Sequence, residues 1–274
     1  MGSTSPERPH TSGDRRYWDG VAAGIHRQGT IGAWRAYMRR VNKRLIDAWL
    51  GRLEVGRALK TDLFEEAVSA HHLLPDLGAG SIGMDLSPAI VSAAQERLRH
   101  ADGRHLLTVG DVRHPPFQSM ALRCIFSGSS LDHFSTKSDI AESLTEFARV
   151  LGPHGVLIVT FDNPHNPVVW IRNRLPFVFL NRLGLVPYYV GMTYNRDEVR
   201  RQLERSGLTV THMTAVAHAP RAPAIWLIAL VERLHWTALT AAMTRALESF
   251  EVFERWPTRY LTGYFVAVRA EKRV

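Results

Sequence analysis

The chain has 274 residues, 45% of them apolar, enough for one large domain with additions or two small ones. Its net charge of +8 is uneven: residues 1–60 carry 12 Lys/Arg against 5 Asp/Glu, residues 61–162 carry 7 against 13, and residues 163–274 carry 15 against 8. An acidic centre between basic flanks argues against a uniformly basic nucleic-acid binder and suggests a catalytic core capped by separate basic elements.

The single cysteine, Cys124, allows no internal disulfide and suits a reducing, cytoplasmic compartment. Residues 1–14 are polar, lack a secretory apolar core and read as a disordered tail. Residues 15–54 read as a helical cap. Within it, "WRAYMRRVNKRLIDAWL" (34–50) sets Trp34, Tyr37, Met38, Val41, Leu45 and Trp49 at helical spacing, with Arg35, Arg39, Arg40, Lys43 and Arg44 mostly on the other side. That basic face is either solvated or a peripheral contact for a membrane or an anionic substrate.

Strands and helices then alternate. "RALKTDLF" (57–64) reads as a strand and "EEAVSAHHLL" (65–74) as a helix. "SIGMDL" (81–86) is a strand, and Ser87 and Pro88 open the helix after it. Strands follow at 105–111 and 122–130, then a helix over 140–151. "GPHG" turns the chain into "VLIVTF" (156–161). A helix over 195–207 ends at Gly207, and strand character returns at 208–218 and 260–270. This order predicts an α/β, mostly parallel sheet with helices on both faces, its ligand at the carboxyl ends of the strands. Residues 55–274 form this domain, with insertions at about 163–193 and 220–259. No apolar run spans a bilayer, because Glu232, Arg233 and His235 interrupt the best candidate, 222–243.

"PDLGAG" (75–80) looks like a nucleotide-binding loop, but its spacing excludes that role. A ribose-gripping acid lies roughly 20 residues beyond such a loop, since a helix must cross back between two strands. Asp85 is suited to be that acid. It lies seven residues after Gly78 but 23 after Asp62. The first loop is therefore Lys60–Phe64, and "PDLGAG" is a turn leading into the second strand.

"GMDLSP", "VGDVRHPPF", "CIFSGSSLDHF" and "ARVLGPHGVLIVTF", in this order and spacing, resemble the class I S-adenosylmethionine-dependent methyltransferases over roughly residues 55–218 plus the final strand. The resemblance implies a Rossmann-like seven-stranded sheet, its last two strands an antiparallel pair, with S-adenosyl-L-methionine as cofactor. The chain departs from the family at the first loop. Where the family has an acidic, glycine-rich loop, this chain has Lys60, Thr61, Asp62, Leu63 and Phe64. Lys60, Thr61 and Asp62 are expected to compensate by pairing with the methionine carboxylate and ammonium, or else the loop has abandoned that cofactor.

Asp85 would accept both ribose hydroxyls, or serve as a helix-entry acid. Asp111, with the Val112 amide, would meet the adenine edge, or be an ordinary turn acid. Ser127 and Gly128 would line the cofactor. Asp132 and His133 would face the substrate, His133 as general base, unless the pair only packs and caps a helix start. In "DNPHNP" (162–167), Asn163 and His165 either orient substrate or build a rigid turn. His71 and His72 point in different directions on their helix, so no metal is expected.

The function read from these residues is transfer of a methyl group to a small or lipophilic molecule under an aromatic lid of Trp170, Phe177, Phe179, Tyr188, Tyr189, Trp226 and Trp236. The alternatives are a methyltransferase fold repurposed for cyclase-like chemistry, or a non-catalytic module binding a membrane or partner.

Overall fold

The computed structural model describes residues 15–23, 32–50, 57–99, 104–182, 186, 188–233 and 237–273. Residues 1–14, expected to be a tail, and Trp236 of the expected lid lie outside them.

Helices α1 (Arg15–Ala23) and α2 (Gly32–Leu50) precede the sheet. Next come β1 (Ala58–Thr61), α3 (Phe64–Val68), β2 (Ile82–Asp85), α4 (Pro88–Leu98), β3 (Leu106–Val109), β4 (Leu122–Gly128), α5 (Lys137–Val150) and β5 (Leu151–Asp162). The first insertion holds α6 (Pro167–Arg172) and α7 (Phe177–Arg182), followed by α8 (Arg196–Arg205) and β6 (Leu208–Val216). The second holds α9 (Arg221–Arg233) and α10 (Thr237–Ser249), before β7 (Phe265–Lys272).

The seven strands lie in the order β3-β2-β1-β4-β5-β7-β6. The first five run parallel, and β7 runs antiparallel between β5 and β6. Strand order reverses between β1 and β4, where open α/β sheets form their ligand crevice. The register brings the strand ends level there, with Thr61 opposite both Met84 and Ser127 and Asp85 opposite Val109.

Apolar faces fix this arrangement. Leu144 and Phe147 of α5 and Val199 and Leu203 of α8 pack on Leu157, Val159, Val266 and Val268 of the sheet. Tyr37, Val41 and Leu45 of α2 cover Val216 and Ala267 together with Ile228 of α9. Ser87 caps α4, accepting from the Ile90 amide at 3.3 Å, and Pro88 starts it.

Three sequence-based boundaries move. The helix expected over 65–74 stops at Val68: Ser69 is extended, and the buried Glu66 carboxylate takes the Leu73 and Leu74 amides at 3.1 Å each. "GPHG" is not a turn ahead of the strand, because β5 already begins at Leu151 opposite Leu122 and absorbs the segment as a register shift, with His154 at φ 59°. "YLTG" is a helical turn rather than strand; a Cβ on Gly263 would lie 2.7 Å from Ala215 Cβ, so the chain turns there on a glycine before β7 starts.

The basic face of α2 is also not free. Arg35 pairs with Glu65 at 2.5 Å, Arg39 with Asp76 at 2.7 Å, Arg44 with Glu251 at 3.1 Å, Arg40 with Glu248 and Lys43 with Asp47. The Arg35 and Arg39 pairs bind the cap to the sheet domain and the Arg40 and Arg44 pairs bind it to the second insertion, while Lys43–Asp47 lies within α2.

Candidate active site

A cleft, open at its mouth, lies at the carboxyl ends of β1 to β4. Of the residues expected to form a site, Asp62, Asp85, Asp111, Val112 and His133 line it.

Asp62 shows how the first loop dispenses with glycine. Its φ is 68°, the left-handed conformation that Asp tolerates better than most residues, and its own carboxylate accepts from the Phe64 amide at 2.7 Å. The backbone thus bends sharply after β1, but Phe64 carries a ring into the space a glycine would leave open. Asp85 reaches back from β2 to the same loop. Its Oδ2 accepts from the Leu63 amide at 2.8 Å and its Oδ1 from the Ser87 amide at 2.9 Å. Burial, then the Asp62 charge, push its carboxyl up to about 7 against these two amides.

Around these acids the walls are apolar, with Met84, Leu86, Ile90 and Val112 on one side. Gly110 is close against them, since a Cβ there would sit 2.6 Å from Met84 Sδ. Over the mouth stands an aromatic group. Trp18 of α1 meets the His133 ring at 4.9 Å between centroids, His133 meets Tyr188 at 5.4 Å, and Tyr188 meets Phe64 at 6.0 Å. α1 is held down by Asp19, which accepts from the Ser87 hydroxyl, and by the Tyr17 hydroxyl, which accepts from the Tyr189 amide at 2.6 Å.

His133 Nδ1 lies 2.9 Å from the Tyr189 carbonyl oxygen. A carbonyl only accepts, so Nδ1 carries the proton and Nε2 keeps its lone pair. Burial lowers the imidazole below its ordinary value, only partly opposed by Asp62, so the ring is neutral at neutral pH.

Other expected residues stand elsewhere. Lys60 does not face the cleft: its buried ammonium donates to Glu66 Oε2 at 2.8 Å and to the Asp62 carbonyl. Thr61 and Ser127 are buried and bonded to each other at 2.9 Å and to Ser130, which fastens β1 to β4 beneath the cleft. Gly128 ends β4 outside the lining. Asp132 is buried behind the cleft, where it accepts from the Asp162 amide at 2.8 Å and the Ser129 hydroxyl at 2.9 Å. Burial, then the Asp162 charge, hold its carboxyl far above the ordinary range. Asn163 builds its turn by donating to the Tyr260 and Gly263 carbonyls and accepting from the His165 amide, and His165 is exposed. Asp111 lines the cleft but is held by Arg113, whose Nη2 lies 2.6 Å from its Oδ2. Burial alone would raise Asp111; the Arg113 bonds prevail and lower it.

The sequence reading assigned no site role to Trp18 or Phe64. The adjacent Tyr17 and Trp18, between a polar tail and the cap, were the available signal for the first. The position of Phe64, two residues past Asp62, was the signal for the second.

Residues 67–159 match the model of a methyltransferase domain. No curated protein matches the chain. Among solved structures, an S-adenosylmethionine-dependent methyltransferase from Thermotoga maritima is 13% identical, with a TM-score of 0.55, over 94% of this chain and 97% of its own. Phosphoethanolamine N-methyltransferase 2 of Haemonchus contortus, in complex with S-adenosyl-L-methionine, is 18% identical with a TM-score of 0.55, over 85% of this chain and 52% of its own. The [4+2]-cyclase SpnF is 17% identical with a TM-score of 0.51, over 85% and 81%. The chain has the Rossmann-like fold of the class I S-adenosylmethionine-dependent methyltransferases, as its strand order and these likenesses establish.

Proposed function

We propose that the protein transfers a methyl group from S-adenosylmethionine to a small lipophilic acceptor. The observation that carries this reading is the cleft itself, where a carboxylate on β2, an apolar slot and a neutral imidazole with a free Nε2 share one wall. The donor set suits the cofactor. Asp85 has lone pairs left for ribose hydroxyls beyond its two amide bonds, and Met84, Leu86 and Ile90 offer a face for the adenine. Asp62, in the cleft just past β1, would offer the methionine ammonium an anion, while the faces of Trp18, Phe64 and Tyr188 suit a cation such as a sulfonium. Bound there, S-adenosylmethionine supplies an electrophilic methyl group.

The protein's own residues do the rest. The aromatic group gives the mouth an apolar rim and suits an apolar acceptor. His133 Nε2 is free to take a proton from an attacking hydroxyl or amine, while its Nδ1–H bond to Tyr189 fixes the ring. Calorimetry with S-adenosylmethionine and S-adenosylhomocysteine tests the reading. Saturable binding of both is expected; no binding of either overturns it. Phe64 favours one second reading, a repurposed enzyme of the cyclase kind, in which case candidate substrates turn over at equal rates with and without the cofactor.

Replacing His133 by Ala is expected to lower kcat on the order of 10²-fold, the lower end for a general base, with little change in cofactor affinity. A base must be unprotonated to act, and burial lowers the His133 pKa. The wild-type rate should therefore stay level as pH falls through the ordinary histidine value and decline only below it. A variant with unchanged kcat assigns His133 to packing instead.

A further inference from the structure

Two parts of the surface are apolar where they face outward, and each belongs to an insertion. Helix α9 buries Ala224, Ile228 and Val231, yet its opposite side presents Trp226, 70% exposed, with Leu227 and Leu230. A helix apolar on all sides suits a core or a lipid phase. In the first insertion, Val169 is buried while Trp170, Ile171 and Phe179 are each about half exposed. Residues 163–193 contain Arg172, Arg174 and Arg182 and no Asp or Glu at all. The Arg174 guanidinium lies 3.5 Å from the centre of the Trp170 ring. The insertions meet at Tyr264: Arg172 of α6 donates to its hydroxyl at 2.9 Å, and Arg221, the first residue of α9, stands 5.2 Å from its ring centre.

We propose that this surface docks on an anionic lipid surface, with its Trp and Leu side chains in the acyl boundary and Arg174 and Arg182 among the headgroup phosphates. At 13 residues, α9 is about 20 Å long at 1.5 Å per residue, too short for a hydrocarbon core of about 30 Å. Among the described residues no helix is long and apolar enough to cross a membrane. A helix of this kind lies in the plane of the interface instead. Tryptophan and arginine are the residues whose mixed character suits that depth. Charge selects the occupant: Arg174 and Arg182, exposed on a segment without acids, fit an anionic surface, whereas a second copy seated there would set arginine against arginine; Arg172 is held inward by Asp162 at 2.6 Å. Tyr188 of the first insertion lines the cleft. The docking itself does not depend on methyl transfer.

Sedimentation of the full chain with vesicles tests this, using phosphatidylcholine alone and phosphatidylcholine mixed with an equal part of phosphatidylglycerol. The chain is expected to partition onto the anionic vesicles, and less so as salt rises. Trp226→Ser combined with Leu230→Ser should lower partitioning on the order of tenfold or more by removing inserted apolar area. Arg174→Gln and Arg182→Gln should each lower it roughly fivefold. None of the four side chains lines the cleft and all are exposed, so each variant should melt normally and bind S-adenosylmethionine as the parent does. Failure of cofactor binding in the parent would thus count against the methyltransferase reading alone. Absence of partitioning to either vesicle overturns the docking proposal, as does partitioning that the Trp226 and Leu230 changes leave intact. So does a dimer of the free chain that those two changes dissolve, which would assign the face to a second copy.

Discussion

Replacing Glu66 by Ala is expected to destabilise the protein by about 3–5 kcal/mol, the cost of leaving a buried charge without its partner. The Lys60 ammonium sits in the wall beneath the first loop, 2.8 Å from Glu66 Oε2, and both side chains are buried. Burial alone would lower the Lys60 pKa, but Glu66 and then Asp62 raise it above its ordinary value of 10.5. Burial alone would raise Glu66; Lys60, then the Leu73 amide, lower it below 4.5. The sign of the linkage follows. The Glu66 contribution is present above pH 4.5 and is lost as pH falls through its depressed folded value, and the Lys60 contribution is lost as pH rises above 10.5. Lys60→Met should also destabilise. Lys60→Met with Glu66→Gln should recover most of the loss, because Gln keeps an oxygen for the Leu73 and Leu74 amides and no unpaired charge remains. Urea unfolding of the three variants at neutral pH checks this. A Glu66→Ala loss below about 1 kcal/mol, the size of an exposed pair, would sink the claim.

The same pair shows where the sequence was legible and where it was not. Element order and the 23-residue step from Asp62 to Asp85 follow from the length of a helical crossover, so the sheet and the β2 acid could be read in advance. The same arithmetic dismissed "PDLGAG". Its glycines do what a turn requires: Gly78 takes φ 100° and Gly80 φ 75° just before β2. The direction of Lys60 could not be read that way. It turns inward because Glu66, six residues on, is buried below it, and that contact exists only once Asp62 has bent the loop to positive φ. Asp111 was read as an adenine-edge acceptor or a turn acid; its pairing with Arg113, two residues on, depends on the local turn and not on any spacing rule. Trp18 was out of reach for another reason. It arrives at the cleft through a helix far from β1 in sequence, held by single bonds to Ser87 and Tyr189 that no periodicity announces.

Asp85 to Ala should weaken S-adenosylmethionine binding by roughly 1.5–3 kcal/mol for each of two charged hydrogen bonds to the ribose, before compensation. Its effect on stability is smaller, because two contributions oppose each other. The variant leaves the Leu63 and Ser87 amides without acceptors, but it removes a buried acid facing Asp62. The linkage gives a second readout. With a folded value of about 7 against an ordinary value of 3.8, Asp85 holds a proton in the folded protein that the unfolded chain has released between those two values. In that interval the stability of the ligand-free protein therefore falls as pH rises. Ribose hydroxyls donate to the carboxylate, so binding favours the ionised form and expels the proton. Affinity should rise with pH through 7, and the binding enthalpy near pH 7 should change with the ionisation enthalpy of the buffer. In the Asp85→Ala protein both dependences should vanish along with most of the affinity. Asp111 provides the contrast, since Arg113 already holds it ionised and its removal should leave the buffer dependence untouched. Normal affinity and a normal melting curve in the Asp85→Ala variant would place the ribose elsewhere, and with it the cofactor.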